Sequence, residues 1–467
     1  MIRKEETICA LASAPGGAIS LIRISGPDCF GICEKMFFPA DKNVKIREQS
    51  GFSVIHGDIR EDREIIDEVL VNIYKAPHSY TGEDSMEISC HGSSYVITRI
   101  LDLLIKNGAV SAQPGEFTQR AFLNDKMDLS QAEAVADLVA SGSKASHRIA
   151  INQMRGGFSA EIATLRSELL KFASLIELEL DFGEEKVEFA DRKDLRSIAV
   201  KVKDMADNLA SSFKLGNVIK NGFPIVIVGK PNSGKSTLLN ALLNEDKAIV
   251  SSIPGTTRDV IEDTININGL IYRFIDTAGL HDTSDEIEVL GIRKTHEKMT
   301  QASVILLVDE ATEAVEEINR RADIIRKMIT DPDVRLIILV NKVDLADKVI
   351  IDSLTKRVYL DIDDSILFIS AENHIGLDKL RKRLARIFEK RGVTEEGVII
   401  TNVRHFEALN HVSESLGRVI IGLDESLSDD LIAIDIRQAI HYLGEITGEI
   451  TTDEILGNIF KNFCIGK

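Results

Sequence analysis

The sequence lacks any apolar run of the roughly 18 residues that a membrane-spanning helix requires, so we expect no transmembrane segment. We also expect no secretory signal, because the segment of residues 1–12 is too short and too acidic to serve as one. The five cysteines are an odd, scattered set without metal-ligand spacing: Cys9, Cys29, Cys33, Cys90 and Cys464. With 28% charged and 44% hydrophobic residues, the chain is predicted to be a soluble globular protein of the reducing cytoplasm.

The chain also lacks surplus positive charge, since 56 Lys and Arg residues stand against 74 Asp and Glu residues and the formal net charge is −18. A protein that coats nucleic acid needs surplus Lys and Arg to neutralise phosphates, so we expect any contact with RNA to be local or made through a partner. The one basic cluster, Lys379–Arg391, has apolar residues at helical spacing beneath it, which favours the solvated face of a packed helix. These apolar residues are Leu377, Leu380, Leu384, Ile387 and Phe388.

A phosphate-binding loop is predicted at Gly229–Ser236, which fits the pattern G-x-x-x-x-G-K-[ST] and follows the apolar run Pro224–Val228. The glycines let backbone N–H groups turn towards a polyphosphate at the start of a helix. Lys235 can reach the β- and γ-phosphates, and the Ser236 hydroxyl can ligate Mg²⁺.

From Asn221 to about Arg391, strands and helices alternate, which predicts a doubly wound sheet with its ligand at the strand ends. Asn268-Gly269 predicts one antiparallel hairpin, between strands Val260–Asn268 and Leu270–Ile275. Four more motifs follow the phosphate loop in the order of translation-factor-type GTPases, whose signature they resemble. They are Gly255-Thr256-Thr257-Arg258-Asp259, Asp276-Thr277-Ala278-Gly279, Asn341-Lys342-Val343-Asp344 and Ser370-Ala371-Glu372.

Two of these residues carry the chemistry of nucleotide choice and catalysis. The carboxylate of Asp344 can accept hydrogen bonds from N1–H and N2–H₂ of guanine, which adenine lacks, so GTP is the predicted nucleotide. Ras-like GTPases place a water-orienting Gln just after D-x-x-G, but Leu280 stands there and cannot orient water. Another group must therefore place the water, and an arginine finger or a cation must offset the developing charge.

Residues 1 to about 118 mix strand-like runs with turns. In Ser20–Ser25 the period of two puts Arg23 on the face opposite Ile22 and Ile24, and in Ser85–Cys90 it separates Glu87 from the apolar residues in the same way. A lined pocket and a wet surface both fit this pattern.

The pattern from Ser130 to about Phe213 is helical. Ser130–Glu133 reads as a capping box, and a seam of apolar residues predicts the core of a helical bundle. The seam consists of Ile162, Leu165, Leu169, Phe172 and Ile176. Residues 403–467 return to helical periodicity, with Thr451–Glu454 capping the last helix, so we expect a helical domain built from two distant segments.

The C-terminal Phe463-Cys464-Ile465-Gly466-Lys467, taken with Ser79–Asp84, Gly115–Phe117, Ala121–Lys126 and the switch motif, closely resembles the MnmE (TrmE) family of tRNA-modification GTPases over the whole chain. The resemblance implies a multidomain α/β and α fold. An N-terminal α+β folate-binding and dimerisation domain (1–118) precedes a discontinuous helical bundle domain (119–218 and 390–467), into which a doubly wound Ras-like GTPase domain (219–389) is inserted.

The resemblance also implies a reaction. The family acts as a homodimer with the FAD protein MnmG to install a (carboxymethyl)aminomethyl-type group on C5 of the wobble uridine of certain tRNAs. A tetrahydrofolate derivative, 5-formyl- or methylene-, supplies the carbon, while FAD and NADH enter only through the partner. GTP hydrolysis is stimulated by K⁺ and by dimerisation of the GTPase domains.

Motif matching assigns residues to these roles. Glu288 would position water, Ser236 and Thr257 would ligate Mg²⁺, and Cys464 would either act chemically or only pack. The folate positions are Arg23, Glu87, Lys126 and Lys467, and the K⁺ ligands are Asn232, Ser251, Ile253 and Thr256. The GTP-binding positions are Asn232, Ser233, Gly234, Lys235, Ser236, Thr237, Ser251, Ser252, Ile253, Pro254, Gly255, Thr256, Thr257, Asp276, Thr277, Ala278, Gly279, Asn341, Lys342, Asp344, Ser370, Ala371 and Glu372.

A second hypothesis is a GTP-switched binding factor, such as a ribosome-assembly GTPase, without one-carbon chemistry. Such proteins usually append a basic RNA-binding module, and the sequence has none. Folate binding to the first 118 residues would discriminate between the two hypotheses.

Overall fold

A computed structural model of the chain describes residues 5–181, 192–246, 263–275, 299–389, 398–461 and 463–466. The chain divides into two compact units: the first combines residues 1–140, 150–208 and 404–467, and the second combines residues 141–149 and 209–403. The finer division after residues 118, 218 and 389 stays a prediction.

The strands in the described ranges are β1 (Ile8–Leu11), β2 (Ile19–Ser25), β3 (Phe37–Pro39), β4 (Ser53–Glu61), β5 (Glu64–Tyr74), β6 (Ser85–His91), β7 (Val110–Ser111), β8 (Phe223–Gly229), β9 (Asp263–Ile267), β10 (Leu270–Phe274), β11 (Val304–Glu310), β12 (Arg335–Asn341) and β13 (Ser365–Phe368). The α-helices are α1 (Cys29–Cys33), α2 (Ser94–Lys106), α3 (Glu116–Leu123), α4 (Leu129–Ala140), α5 (Lys144–Met154), α6 (Gly157–Asp181), α7 (Arg192–Ser211), α8 (Phe213–Asn221), α9 (Lys235–Asp246), α10 (Val315–Met328), α11 (Lys348–Arg357), α12 (Leu377–Glu389), α13 (Val403–Asp424), α14 (Asp429–Thr447) and α15 (Asp453–Phe460). No helix in this part of the chain combines the length and apolar character needed to cross a bilayer.

The first unit contains a seven-stranded sheet in the order β3-β4-β5-β6-β2-β1-β7. Only the β1–β7 pair is parallel. Ile22 and Ile24 are fully buried on the face that packs against α2, as the period of two predicts. Arg23 and Glu87 lie on the opposite face, where both remain partly exposed.

The first unit also contains the helical bundle. The whole predicted seam of α6, from Ile162 to Ile176, is buried with no exposed surface. Helix α6 packs against α14 and α4, so the expected pairing of two distant helical segments is confirmed. At the last helix, the Thr452 hydroxyl accepts from the Ile455 N–H at 3.3 Å, which confirms the predicted cap.

The first turn of α4 differs from the prediction. Asp128 Oδ1 accepts from the Gln131 N–H at 2.9 Å, and Gln131 Oε1 accepts from the Asp128 N–H at 3.0 Å. The capping box is therefore Asp128–Gln131, and the predicted box from Ser130 to Glu133 is wrong. Glu133 is unavailable for capping because its carboxylate is buried against Arg404 and His405.

The second unit is built on a six-stranded sheet in the order β13-β12-β11-β8-β10-β9, parallel except for the β9–β10 pair. Helices α9 and α12 pack on one face and α10 and α11 on the other, so the central strands are buried on both sides. This is the doubly wound sheet that the sequence predicts. Asn268 and Gly269, at φ 54° and 79°, form its two-residue hairpin.

The described part of the basic cluster, residues 379–389, lies on α12. The five apolar residues spaced along this helix are buried in the core of the second unit, which confirms the prediction of a packed helix with a charged outer face.

Candidate functional site

The predicted phosphate loop connects β8 to α9. Gly229, Asn232 and Gly234 have φ values of 152°, 62° and 93°, a backbone path that glycine adopts freely and asparagine tolerates. The Lys235 ammonium donates to the main-chain oxygens of Gly229 at 2.9 Å and Lys230 at 2.6 Å. The positively charged Lys235 ammonium is thus held against the loop, which leads into the N-terminus of α9. This arrangement suits a phosphate.

Asn341 packs directly against this loop. Its side-chain amide donates to the Ser233 main-chain oxygen at 2.9 Å, while its Oδ1 accepts from the Ala371 N–H at 3.0 Å. A Cβ on Gly234 would lie 2.2 Å from Asn341 Nδ2, so only glycine allows this approach. Asn341 therefore joins the phosphate loop to the Ser370–Glu372 segment through backbone contacts.

Asp344 follows Asn341 in an exposed 3₁₀ turn, Val343–Leu345, which Lys342 enters at φ 61°. The Ser370 hydroxyl donates to the Asp344 carboxylate and lowers the pKa of Asp344, with further support from Asn373 and Lys342. The carboxylate is consequently ionised near neutral pH and can accept two N–H bonds from a guanine edge. Lys342 itself pairs with Glu310.

Several predicted nucleotide residues lie outside the described residues. They are Ser251, Ser252, Ile253, Pro254, Gly255, Thr256, Thr257, Asp276, Thr277, Ala278, Gly279 and the proposed water-positioning Glu288, together with Lys467 of the folate set.

In the first unit, Arg23 and Glu87 face each other across β2 and β6, whose register pairs them directly. Arg23 Nε and Nη2 donate to Glu87 Oε1 at 3.0 and 2.7 Å, and the Tyr74 hydroxyl donates to Glu87 Oε2 at 3.2 Å. The structure thus brings two predicted folate positions together. Tyr74 was missed by sequence analysis, although its place on the same face of β5 follows from the period of two.

Two aromatic rings flank Arg23. Its Cζ lies 5.3 Å from the centroid of Tyr80 and 5.6 Å from that of Phe117, within the range of cation–π attraction. The Tyr80 hydroxyl is 2.8 Å from the Thr118 hydroxyl, and burial raises the pKa of Tyr80, so the phenol stays protonated. Arg23, Glu87 and Tyr80 are partly exposed and offer a cation, an anion and an aromatic face, while Phe117 is fully buried and contacts Arg23 from within the core.

The C-terminal tail contributes backbone to this surface. Arg23 Nη1 donates to the Gly466 main-chain oxygen at 3.3 Å, and the Gly115 N–H donates to that of Cys464 at 3.4 Å. A Cβ on Gly466 would lie 2.2 Å from the Leu11 oxygen, so the tail passes close to β1. The Cys464 thiol is exposed.

Lys126 contacts the loop that contains Pro77, between β5 and β6. Its ammonium donates to the Pro77 main-chain oxygen at 2.9 Å, and a Cβ on Gly82 would lie 3.4 Å from its side-chain carbons. The structure therefore places Lys126 beside the Ser79–Ser85 segment that carries Tyr80.

A buried ionic cluster in the helical bundle also escaped the sequence analysis. Arg404 donates to both Glu133 oxygens at 3.0 and 2.9 Å, and His405 Nε2 lies 2.7 Å from Glu133 Oε2. Burial raises the pKa of Glu133, but His405 and Arg404 outweigh burial and lower this pKa from 4.5 to about 2. The cluster connects α4 with α13, and Arg404 also donates to the main-chain oxygen of Ile446 near the end of α14.

Comparisons with known proteins agree on one family. Residues 129–464 match the family model described as the MnmE helical domain, and residues 7–126 match the model described as the GTP-binding protein TrmE N-terminus. The chain is 52% identical over 465 residues to the tRNA modification GTPase MnmE of Bacteroides fragilis, covering 99% of this chain and 100% of that protein. It is 49% identical over 464 residues to the protein of the same name from Cytophaga hutchinsonii, covering 99% and 98%.

A likeness to solved structures is weak. A GTP-binding protein from Sulfolobus solfataricus in complex with GDP matches at 18% identity and a TM-score of 0.27, over 60% of this chain and 79% of that one.

Proposed function

Because this chain belongs to the MnmE family of tRNA modification GTPases, we propose that it couples GTP hydrolysis to modification of the wobble uridine with a folate-borne carbon. The family makes the chain a GTPase that takes part in tRNA modification. The folate donor, the partner flavoprotein MnmG, the potassium requirement and the homodimer are the finer parts of the proposal.

The phosphate loop is the proposed GTP site. The described residues fit a nucleoside triphosphate. The loop turns at Gly229 and Gly234, where any side chain would collide with neighbouring atoms, and the Lys235 ammonium places a positive charge on the loop. The buried Ser233 hydroxyl, which has no hydrogen-bond partner among the described residues, adds a polar group to the same loop. Asp344 would select guanine, and Ser236 with Thr257 would hold Mg²⁺, which when bound offsets phosphate charge.

For hydrolysis, we propose that Glu288 positions water and that K⁺ replaces an arginine finger. Leu280 has no group that can orient water, and no arginine is marked by a motif for this role. Asn232, at φ 62° within the phosphate loop, offers a side-chain carbonyl beside the phosphates, and Ser251, Ile253 and Thr256 would add further oxygens.

The surface around Arg23 is the proposed folate site. A folate presents a flat heteroaromatic ring with N–H donors and a tail of carboxylates. Glu87 can accept from the donors, Lys126 can pair with a carboxylate, and Tyr80 supplies an aromatic face. Arg23 holds Glu87 in place, and the fully buried Phe117 packs against Arg23 from within the core. The contact between Arg23 and the Gly466 oxygen is the observation that carries the proposal, because it unites the N-terminal motifs with the C-terminal tail in one place.

Equilibrium binding of 5-formyltetrahydrofolate to the full chain tests this proposal. We expect saturable binding to the wild type and its loss in the Arg23→Ala, Lys126→Ala double variant. Lys106→Ala is the matched control, because this lysine lies in the same unit and pairs with Glu61 at the surface. If the wild type does not bind the folate, the proposal fails and the GTP-switched binding factor becomes the better hypothesis.

A further inference from the structure

Arg120 is a buried arginine outside the proposed ligand contacts, with a side chain only 2% exposed. From α3 its guanidinium reaches three different parts of the first unit. Nη1 donates to the Glu6 main-chain oxygen at 2.8 Å and to the Glu83 carboxylate at 3.2 and 3.3 Å, while Nη2 donates to Glu116 Oε1 at 3.0 Å. One cation thus neutralises two carboxylates whose side chains are 16% and 8% exposed.

Glu83 links Arg120 to the Ser79–Ser85 segment, of which it is a part. Its Oε2 accepts from the Ser25 hydroxyl at 2.8 Å, and Ser25 is 2.7 Å from the Thr81 hydroxyl. Asn124, just after α3, donates to the Thr81 main-chain oxygen at 2.8 Å. The segment is therefore fixed between β2, which carries Arg23, and the end of α3.

Glu116 links Arg120 to the first turn of α3. It is one turn before Arg120 on the same helix, and its Oε2 accepts from the Gln113 N–H at 2.8 Å. This bond closes the turn that enters the helix, just ahead of Phe117. Arg120 thus fixes the helix that presents Phe117 and, through Glu83, the segment that presents Tyr80.

We propose that Arg120 is a positioning residue for the folate site, acting through Glu83 and Glu116 to hold Tyr80 and Phe117 against Arg23. The inference rests on the proposed folate function. Two largely buried carboxylates that lose their shared cation repel each other and draw in water, which would move the segment from Ser79 to Ser85. Lysine cannot replace this arginine, because an ammonium lacks the planar fork that reaches three acceptors at once.

The test measures 5-formyltetrahydrofolate affinity in the full chain for the wild type, Arg120→Lys and Glu83→Gln. Loss of a hydrogen-bonded buried charge pair should weaken binding by about tenfold or more in each variant. GTP hydrolysis should stay at the wild-type rate, since both residues lie outside the nucleotide motifs. Arg99→Lys is the matched control, because Arg99 pairs with Glu61 at the surface of the same unit and should leave folate affinity unchanged.

A purely structural role for Arg120 predicts different results. The variants would then unfold at lower urea concentration, but the folded protein would bind folate with wild-type affinity. In a tRNA modification assay, the proposal predicts a raised KM for folate with kcat recovered at saturating folate, whereas a structural role lowers only the active fraction.

The outcomes separate this inference from the function on which it rests. Absence of folate binding in the wild type overturns both. Wild-type binding together with unchanged affinity in Glu83→Gln overturns the positioning role and leaves the folate site standing. If Arg120→Lys fails to fold, Glu83→Gln decides alone, because glutamine keeps the size of the side chain while it removes the charge and replaces one acceptor oxygen with an amide donor.

Discussion

The side-chain amide of Asn341 donates to the main-chain oxygen of Ser233 at 2.9 Å, across 108 residues of sequence. The N-K-x-D motif is therefore hydrogen-bonded to the phosphate loop. Glycine at position 234 allows this approach, because a Cβ there would lie only 2.2 Å from the nitrogen of the same amide.

Gly234→Ala should abolish GTP binding. The new methyl group would collide with Asn341, and φ 93° is strained for alanine, so the loop would have to move. Isothermal titration with GTP provides the measurement. Gly457→Ala, where an added Cβ meets no atom within 4 Å, is the matched control and should bind GTP normally.

Asp344→Asn should lose GTP and gain xanthosine triphosphate, because an amide in place of the carboxylate inverts one hydrogen-bond polarity. Competition between the two nucleotides for the variant provides the measurement. Asp347→Asn, a change at the neighbouring N-cap of α11 where asparagine caps equally well, should leave the preference for GTP intact. Equal GTP affinity in Asp344→Asn and the wild type would refute the assignment.

Hydrolysis should require potassium and Glu288. Replacing K⁺ with Na⁺, or Glu288 with Ala, should reduce turnover by an amount on the order of 10³, the effect of losing an arginine finger, while GTP affinity is retained. Steady-state phosphate release in the two salts provides the measurement, with Glu286→Ala as the neighbouring control. Full activity in sodium, or a wild-type rate in Glu288→Ala, would contradict this mechanism.

The Glu133 cluster should make the helical bundle sensitive to acid. The pKa of Glu133 falls from 4.5 to about 2 on folding, so its contribution to stability is complete above pH 4.5 and is lost as the pH falls towards 2. Burial lowers the pKa of His405, which adds to the loss below its usual value of 6.5. Urea unfolding followed against pH should show a shallower acid decline in Glu133→Gln than in the wild type.

The control for this pH dependence is Glu177→Gln, which removes an exposed partner of Arg437. Because exposed ion pairs contribute little, this variant should keep the wild-type acid decline. Identical pH profiles for Glu133→Gln and the wild type would show that the cluster does not titrate as its geometry implies.

Local patterns predicted much of the fold. Alternation placed Ile22 and Ile24 inside, the helical seam from Ile162 to Ile176 is buried throughout, and Asn268-Gly269 forms its hairpin. These features depend on neighbours within a few residues, which the sequence displays directly.

Those local patterns could not predict ion pairs between residues that are far apart in the sequence. Glu133 fits a capping box by spacing, but its partners Arg404 and His405 are about 270 residues away, and Asp128 supplies the cap instead. Arg120 and Glu83 likewise carry no local signal of their contact. Alternation also left open whether Arg23 and Glu87 line a pocket or face water. It could not show that Arg23 contacts the distant Gly466, Tyr80 and Phe117, or that the side chains of Arg23 and Glu87 are only 19% and 16% exposed.

Nucleoside analysis of tRNA from cells that lack this protein is the most direct test of the proposed function. We expect loss of the C5 substituent on the wobble uridine, restored by the wild-type chain and by Lys106→Ala. The Arg23→Ala, Lys126→Ala double variant and deletion of Cys464–Lys467 should fail to restore the modification while still hydrolysing GTP. Full wobble-uridine modification in the cells that lack the protein, or in those that carry the double variant, would contradict the account.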